Sequence, residues 1–69
     1  MDLNYANLIG ANLSGVSLVE INLIRANFIR TDLTGAILRG ANLTQADLSF
    51  AHFAKADKTS KYIINITNI

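Results

Sequence analysis

Large apolar residues recur at every fifth position. Leu3, Leu8, Leu13, Leu18, Leu23, Phe28, Leu33, Leu38, Leu43, Leu48 and Phe53 form eleven uninterrupted repeats. Two residues before each stands a mostly small residue: Met1, Ala6, Ala11, Val16, Ile21, Ala26, Thr31, Ala36, Ala41, Ala46 and Ala51, with Ala56 continuing the series. Between small and large positions lies a mostly Asn or Asp series: Asp2, Asn7, Asn12, Ser17, Asn22, Asn27, Asp32, Ile37, Asn42, Asp47, His52 and Asp57. All four glycines, Gly10, Gly15, Gly35 and Gly40, fall two residues after the large one. An internal repeat of this regularity governs any reading of the fold.

A single helix or strand does not accommodate a period of five. On an α-helix each step advances the side chain by ~140° beyond a full turn, which scatters the leucines around the axis. Along one straight strand an odd step reverses the face at every repeat. Within a repeat, however, the small and large residues are two apart and share a face of an extended segment. The chain must therefore bend between repeats. A bend of constant sense winds it into a coil, whose turns stack as parallel strands about 4.8 Å apart. Asn and Asp suit the bends because their short side chains bond nearby backbone, and Gly accepts backbone angles that other residues resist.

The motif Ala-Asn/Asp-Leu appears as Ala6-Asn7-Leu8, Ala11-Asn12-Leu13, Ala41-Asn42-Leu43 and Ala46-Asp47-Leu48, with Phe for Leu in Ala26-Asn27-Phe28. It resembles the pentapeptide-repeat family. The resemblance implies an all-β fold: a right-handed quadrilateral parallel β-helix, four repeats per coil, with small and large residues inside. It covers residues 1–57 in fewer than three coils and leaves 58–69 as a non-repeat C-terminal tail. Val16, Ile21 and Thr31 depart from the small position; Ser17, Ile37 and His52 depart from the Asn/Asp position.

With four repeats per coil, residues twenty apart stack. The interior columns are then Leu3, Leu23, Leu43; Leu8, Phe28, Leu48; Leu13, Leu33, Phe53; and Leu18, Leu38, the last broken by Lys58. Outside, two adjacent faces gather Tyr5, Ile9, Ile24, Ile29 and Phe50 around Arg25 and Arg30, whereas the other faces are mostly Ser, Thr, Gly and Ala. An apolar patch edged by Arg is the composition of a protein-binding surface. The same side chains also suit plain ladders between coils, with Arg25 leaning on Tyr5.

Composition narrows the function. The chain has 69 residues, no Cys, no Pro and one His, with six basic and five acidic residues for a net charge of +1. One domain without disulfides fits a reducing compartment, and the expected location is cytoplasmic. Near-neutrality predicts no direct nucleic-acid binding. No segment has the ~20 apolar residues of a membrane span, so no membrane role is expected. The start lacks signal-peptide character, so the Asn65-Ile66-Thr67 acceptor pattern is read as chance. His52 shares an outward column with Asn12 and Asp32, which predicts a surface contact rather than a catalytic base. No nucleophile motif, phosphate loop or calcium-loop spacing occurs. The expectation is a non-enzyme with no cofactor, metal or small-molecule substrate.

The ends suggest association. Met1 is already in register, which predicts an unshielded first coil, and open edges recruit other chains. After the polar Lys58-Thr59-Ser60-Lys61 break, Tyr62, Ile64 and Ile66 alternate as in a strand. That tail is expected to cap its own coil or to pair with another chain. The leading function is a non-catalytic interaction or scaffold module that presents faces or ends to a protein partner or to itself. Family resemblance supplies an alternative, a duplex-mimicking inhibitor of DNA gyrase or another type II topoisomerase, which strongly acidic faces would favour. A structural segment of a larger β-helical assembly is the third reading.

Overall fold

The computed structural model describes residues 2–59. Its chain is a stack of coils joined by parallel bridges between residues twenty apart: Asp2 with Asn22 and Asn22 with Asn42, and likewise Asn7, Asn27 and Asp47, Asn12, Asp32 and His52, and Ser17, Ile37 and Asp57. Twenty residues are four five-residue repeats, so each coil has four sides. Among the described residues the pairing consists of single-residue bridges rather than continuous strands. The reason is local: every repeat spends most of its length in a turn, which leaves one residue extended enough to pair.

The turn is the same throughout. The N–H after each corner donates to the carbonyl of the large residue three positions earlier, as in Ala26 to Leu23 at 3.0 Å and Ala36 to Leu33 at 3.0 Å. The third residue of each turn has positive φ, in all eleven repeats from Tyr5 to Lys55. Positive φ at that position alone is the signature of a type II turn. Glycine fills it at four corners; Tyr5, Glu20, Arg25, Arg30, Gln45, Phe50 and Lys55 fill it at φ of 57 to 64°. An L-residue in this left-handed region costs about 1–2 kcal/mol. At Tyr5, Glu20, Arg25 and Arg30 the next coil bonds the corner residue while the turn closes behind it. At Arg25, for example, its own N–H donates to Thr44 O at 2.9 Å while the next N–H closes the turn.

Three further bonds per repeat tie coil to coil, as in Leu23 N–H to Asn42 O (2.8 Å), Arg25 N–H to Thr44 O, and Asn42 N–H to Ile21 O (3.0 Å). The Asn/Asp series completes the backbone satisfaction. Oδ1 of Asp2, Asn7, Asn12, Asn27, Asp32, Asn42, Asp47 and Asp57 accepts the N–H two residues on, at 2.9–3.1 Å. This is the Asx turn expected of such residues. Where Ser or Thr follows, its hydroxyl donates to the same oxygen, as at Ser14, Thr34, Thr44, Ser49 and Thr59. Ile24 is the exception: its N–H goes to Asn4 Oδ1 of the preceding coil at 2.8 Å.

The interior is apolar and tight. Leu23, Phe28, Leu33 and Leu38 of the middle coil are fully buried with Ala26, Ala36 and Ala41, while Leu3, Leu8 and Leu13 of the first coil are partly buried against them. Thr31, the polar departure at the small position, is also fully buried. Its hydroxyl donates to Leu8 O at 2.6 Å, so the coil below satisfies it. Lys58, which breaks the fourth interior column, is exposed, with its ammonium 5.3 Å from the centre of the Phe53 ring. Backbone pairing nevertheless continues to Gly40 N–H on Thr59 O at 3.1 Å. The principal extents are 21 × 20 × 18 Å, which describes a block rather than an elongated rod.

Candidate functional site

The stacking register brings the predicted patch together on two neighbouring sides. On the first side the outward columns are Asn4, Ile24, Thr44 and Tyr5, Arg25, Gln45; on the second they are Ile9, Ile29, Ser49 and Gly10, Arg30, Phe50. Tyr5 is 71% exposed, Phe50 64% and Ile9 51%. Arg25 and Arg30 are exposed, whereas Ile24 and Ile29 are half-buried. The predicted end contacts Tyr62, Ile64 and Ile66, like Met1, lie outside the described residues.

Both arginines make ladder contacts with the next coil, as the plain-ladder reading expects, but Arg25 has a different partner from the expected Tyr5. Arg25 turns away from Tyr5 and donates from Nε to Gln45 Oε1 at 2.8 Å. Gln45 offers a carbonyl lone pair, a better acceptor for a guanidinium N–H than the face of a ring. Arg30 lies over the Phe50 ring, 5.4 Å from its centroid, a cation–π separation. Both guanidinia thus have neutral partners on their own chain. Arg39 differs: its Nη2 pairs with Asp57 Oδ2 at 3.3 Å on another side of the coil.

The Arg25–Gln45 contact was readable as a column of like spacing but not as a choice over Tyr5. The strained corners had a clearer sequence signal, since the glycines all mark that position. What composition did not show is that Tyr5, Arg25, Arg30 and Phe50 occupy the same left-handed corners as the glycines. Val19, another exposed apolar residue, lies apart from the patch on the fourth side, in the column of Arg39.

The aspartates of the third and fourth sides, and Asp47, are engaged in turn chemistry. Asp32 Oδ1 receives both the N–H and the hydroxyl of Thr34, at 3.0 and 2.6 Å. Its carboxyl is held below the ordinary 3.8 chiefly by that hydroxyl, then by the backbone N–H, with the neighbouring His52 assisting. Asp47 and Asp57 are lowered for the same reason by Ser49 and Thr59. Asp32 and His52 therefore meet as bridge partners on an exposed side, with the carboxylate committed to its own turn. Among the described residues no three His, Cys, Asp or Glu side chains are grouped to hold a metal ion. No helix among them is long and apolar enough to cross a membrane.

A family model described as pentapeptide repeats matches residues 2–40 and 26–57, in 8 copies. The chain belongs to the pentapeptide repeat family. Membership agrees with the β-helical stacking above. Among solved structures, the chain is similar to a pentapeptide repeat protein, Rfr23, from the cyanobacterium Cyanothece 51142. Identity is 30% over 86% of this chain and 52% of that one, with a TM-score of 0.34. The chain thus spans about half the length of that pentapeptide repeat protein. No curated protein matches it.

Proposed function

We propose that this pentapeptide repeat chain is a non-catalytic interaction module: a right-handed quadrilateral β-helix of fewer than three coils that presents its first two sides to a protein partner. The observation that carries this reading is the exposure of Tyr5, Ile9 and Phe50 beside Arg25 and Arg30. Aromatic and Arg side chains are the types enriched where proteins bind one another, and a few such residues supply most of the binding energy. On the other two sides Asn12, Asp32 and Asp57 each commit Oδ1 to a capping turn and Arg39 pairs with Asp57, which leaves the patch as the distinctive apolar surface.

Affinity capture on the immobilised chain, followed by titration of the captured partner, tests the reading. Tyr5→Glu and Ile9→Glu change exposed side chains and leave the core intact. Each is expected to weaken binding about tenfold, the effect of losing one interface anchor. Capture unchanged by both variants refutes the patch. Mimicry of duplex DNA is the weaker reading, because six bases offset five acids and the described body is only 21 Å in its longest extent. Gyrase supercoiling in the presence of the protein distinguishes the two, since only the mimic inhibits it.

A further inference from the structure

Three features of the first two sides converge on the chemistry of the partner. The first is backbone conformation. Of the six described corners on these sides, five carry a side chain in the left-handed region: Tyr5, Arg25, Gln45, Arg30 and Phe50, with Gly10 the exception. On the other two sides only Glu20 and Lys55 do so, and Gly15, Gly35 and Gly40 fill the remaining three. Glycine is the comfortable residue at every one of these corners. Side chains kept in strained conformations concentrate where function requires them.

The second feature is charge. Arg25 and Arg30 occupy consecutive corners of the middle coil, and their contacts are an amide oxygen and an aromatic ring. Neither satisfies the positive charge as a carboxylate does, and Arg25 and Arg30 retain donors for a bidentate acid. The carboxylates on the same two sides are Asp2 and Asp47, and each directs Oδ1 to its own turn, towards Asn4 N–H and Ser49 respectively. The third feature is the apolar setting. The register places exposed Tyr5 one coil before Arg25, exposed Ile9 one coil before Ile29, and exposed Phe50 against Arg30, so an acid seated beside them would lose water and its attraction to the guanidinia would strengthen.

We infer that the Arg25–Arg30 edge recognises a protein segment in which carboxylates flank apolar side chains. This rests on the proposed interaction surface and names the partner chemistry it selects. The acids seat on the two guanidinia and the apolar residues cover Ile9 and Phe50. Gln45 and Phe50 hold the guanidinia in place before binding, which reduces the ordering cost.

Fluorescence anisotropy with a short labelled peptide of core Glu-Leu-Phe-Glu, and with its Gln-Leu-Phe-Gln and Lys-Leu-Phe-Lys counterparts, provides the test. The acidic peptide is expected to bind about tenfold more tightly than the Gln form, and the Lys form more weakly still, because like charge opposes it. Arg25→Gln together with Arg30→Gln is expected to erase the preference, while Arg25→Lys with Arg30→Lys retains part of it. Added salt weakens the acidic peptide selectively. Equal binding of Glu and Gln peptides, no binding of either, or a preference that survives the double Gln variant overturns the inference. Equal binding that Ile9→Glu abolishes refutes the acid preference alone and leaves the interaction surface standing. Partner capture indifferent to Tyr5→Glu and Ile9→Glu refutes the surface itself.

Discussion

Replacing Gly10 by Ala isolates the conformational term that shapes every corner of this fold. Gly10 sits at φ +68°, and a Cβ built on it meets nothing within 4 Å. No clash or lost contact therefore enters the comparison. In the unfolded chain Ala has less freedom than Gly, which by itself would stabilise the protein by about 0.4–1 kcal/mol. The left-handed corner opposes this with about 1–2 kcal/mol for an L-residue. The difference is a net loss of about 1 kcal/mol. For a domain of this size that lowers Tm by roughly 4–8 °C. The reciprocal change is Lys55→Gly, at an exposed corner with φ 60°, which is expected to gain about 0.5–1 kcal/mol by the same terms reversed. Urea denaturation followed by circular dichroism measures both, with an unchanged m-value confirming that the unfolded state is comparable. A neutral or stabilised Gly10→Ala protein, or a destabilised Lys55→Gly protein, refutes the account of the corners.

Three other outcomes follow from the core and the turn caps. Phe28→Ala empties a fully buried interior position and is expected to cost about 3–5 kcal/mol, enough to leave much of the chain unfolded by circular dichroism at 25 °C. Thr31→Val removes the buried hydroxyl bond but leaves Leu8 O with its bond from Ala11 N–H, so a loss of only about 1 kcal/mol is expected in the same denaturation assay. Asp32, Asp47 and Asp57 have folded pKa values below the ordinary 3.8, so their contribution is present above that pH and is lost as pH falls through the lower folded values. Replacing all three by Asn keeps the Oδ1 acceptor, as Asn7 and Asn42 show, and is expected to flatten stability against pH below about 4 in acid titrations.

The capping role of Asn and Asp was legible because it is local: a side-chain oxygen two residues from the N–H it accepts is within reach in any bend. The glycine positions likewise announced a corner of unusual backbone angle. The patch was legible only once a stacking register was assumed, and its contacts were not. Spacing puts Tyr5 and Gln45 equally far from Arg25 in sequence, and only side-chain direction in three dimensions selects Gln45. Ile9 and Ile29 likewise share a column, yet the first is exposed and the second half-buried, which repeat position alone does not decide.

By itself the sequence determined the repeating unit, because small and large residues two apart must share a face, and a period of five cannot remain straight and keep both inside. It determined which residues face inward and, through Lys58, where the apolar lining ceases. The tertiary structure decided the closure. A coil of any whole number of repeats would satisfy the period, and the parallel bridges at twenty residues show which positions become neighbours. It also decided that Tyr5, Arg25, Arg30 and Phe50 take a conformation that local preference resists. At Tyr5, Arg25 and Arg30 a hydrogen bond from the corner N–H to the next coil joins the bond that closes the turn, and together they outweigh the steric cost; at Phe50 the turn is closed by Ala51 N–H on Leu48 O.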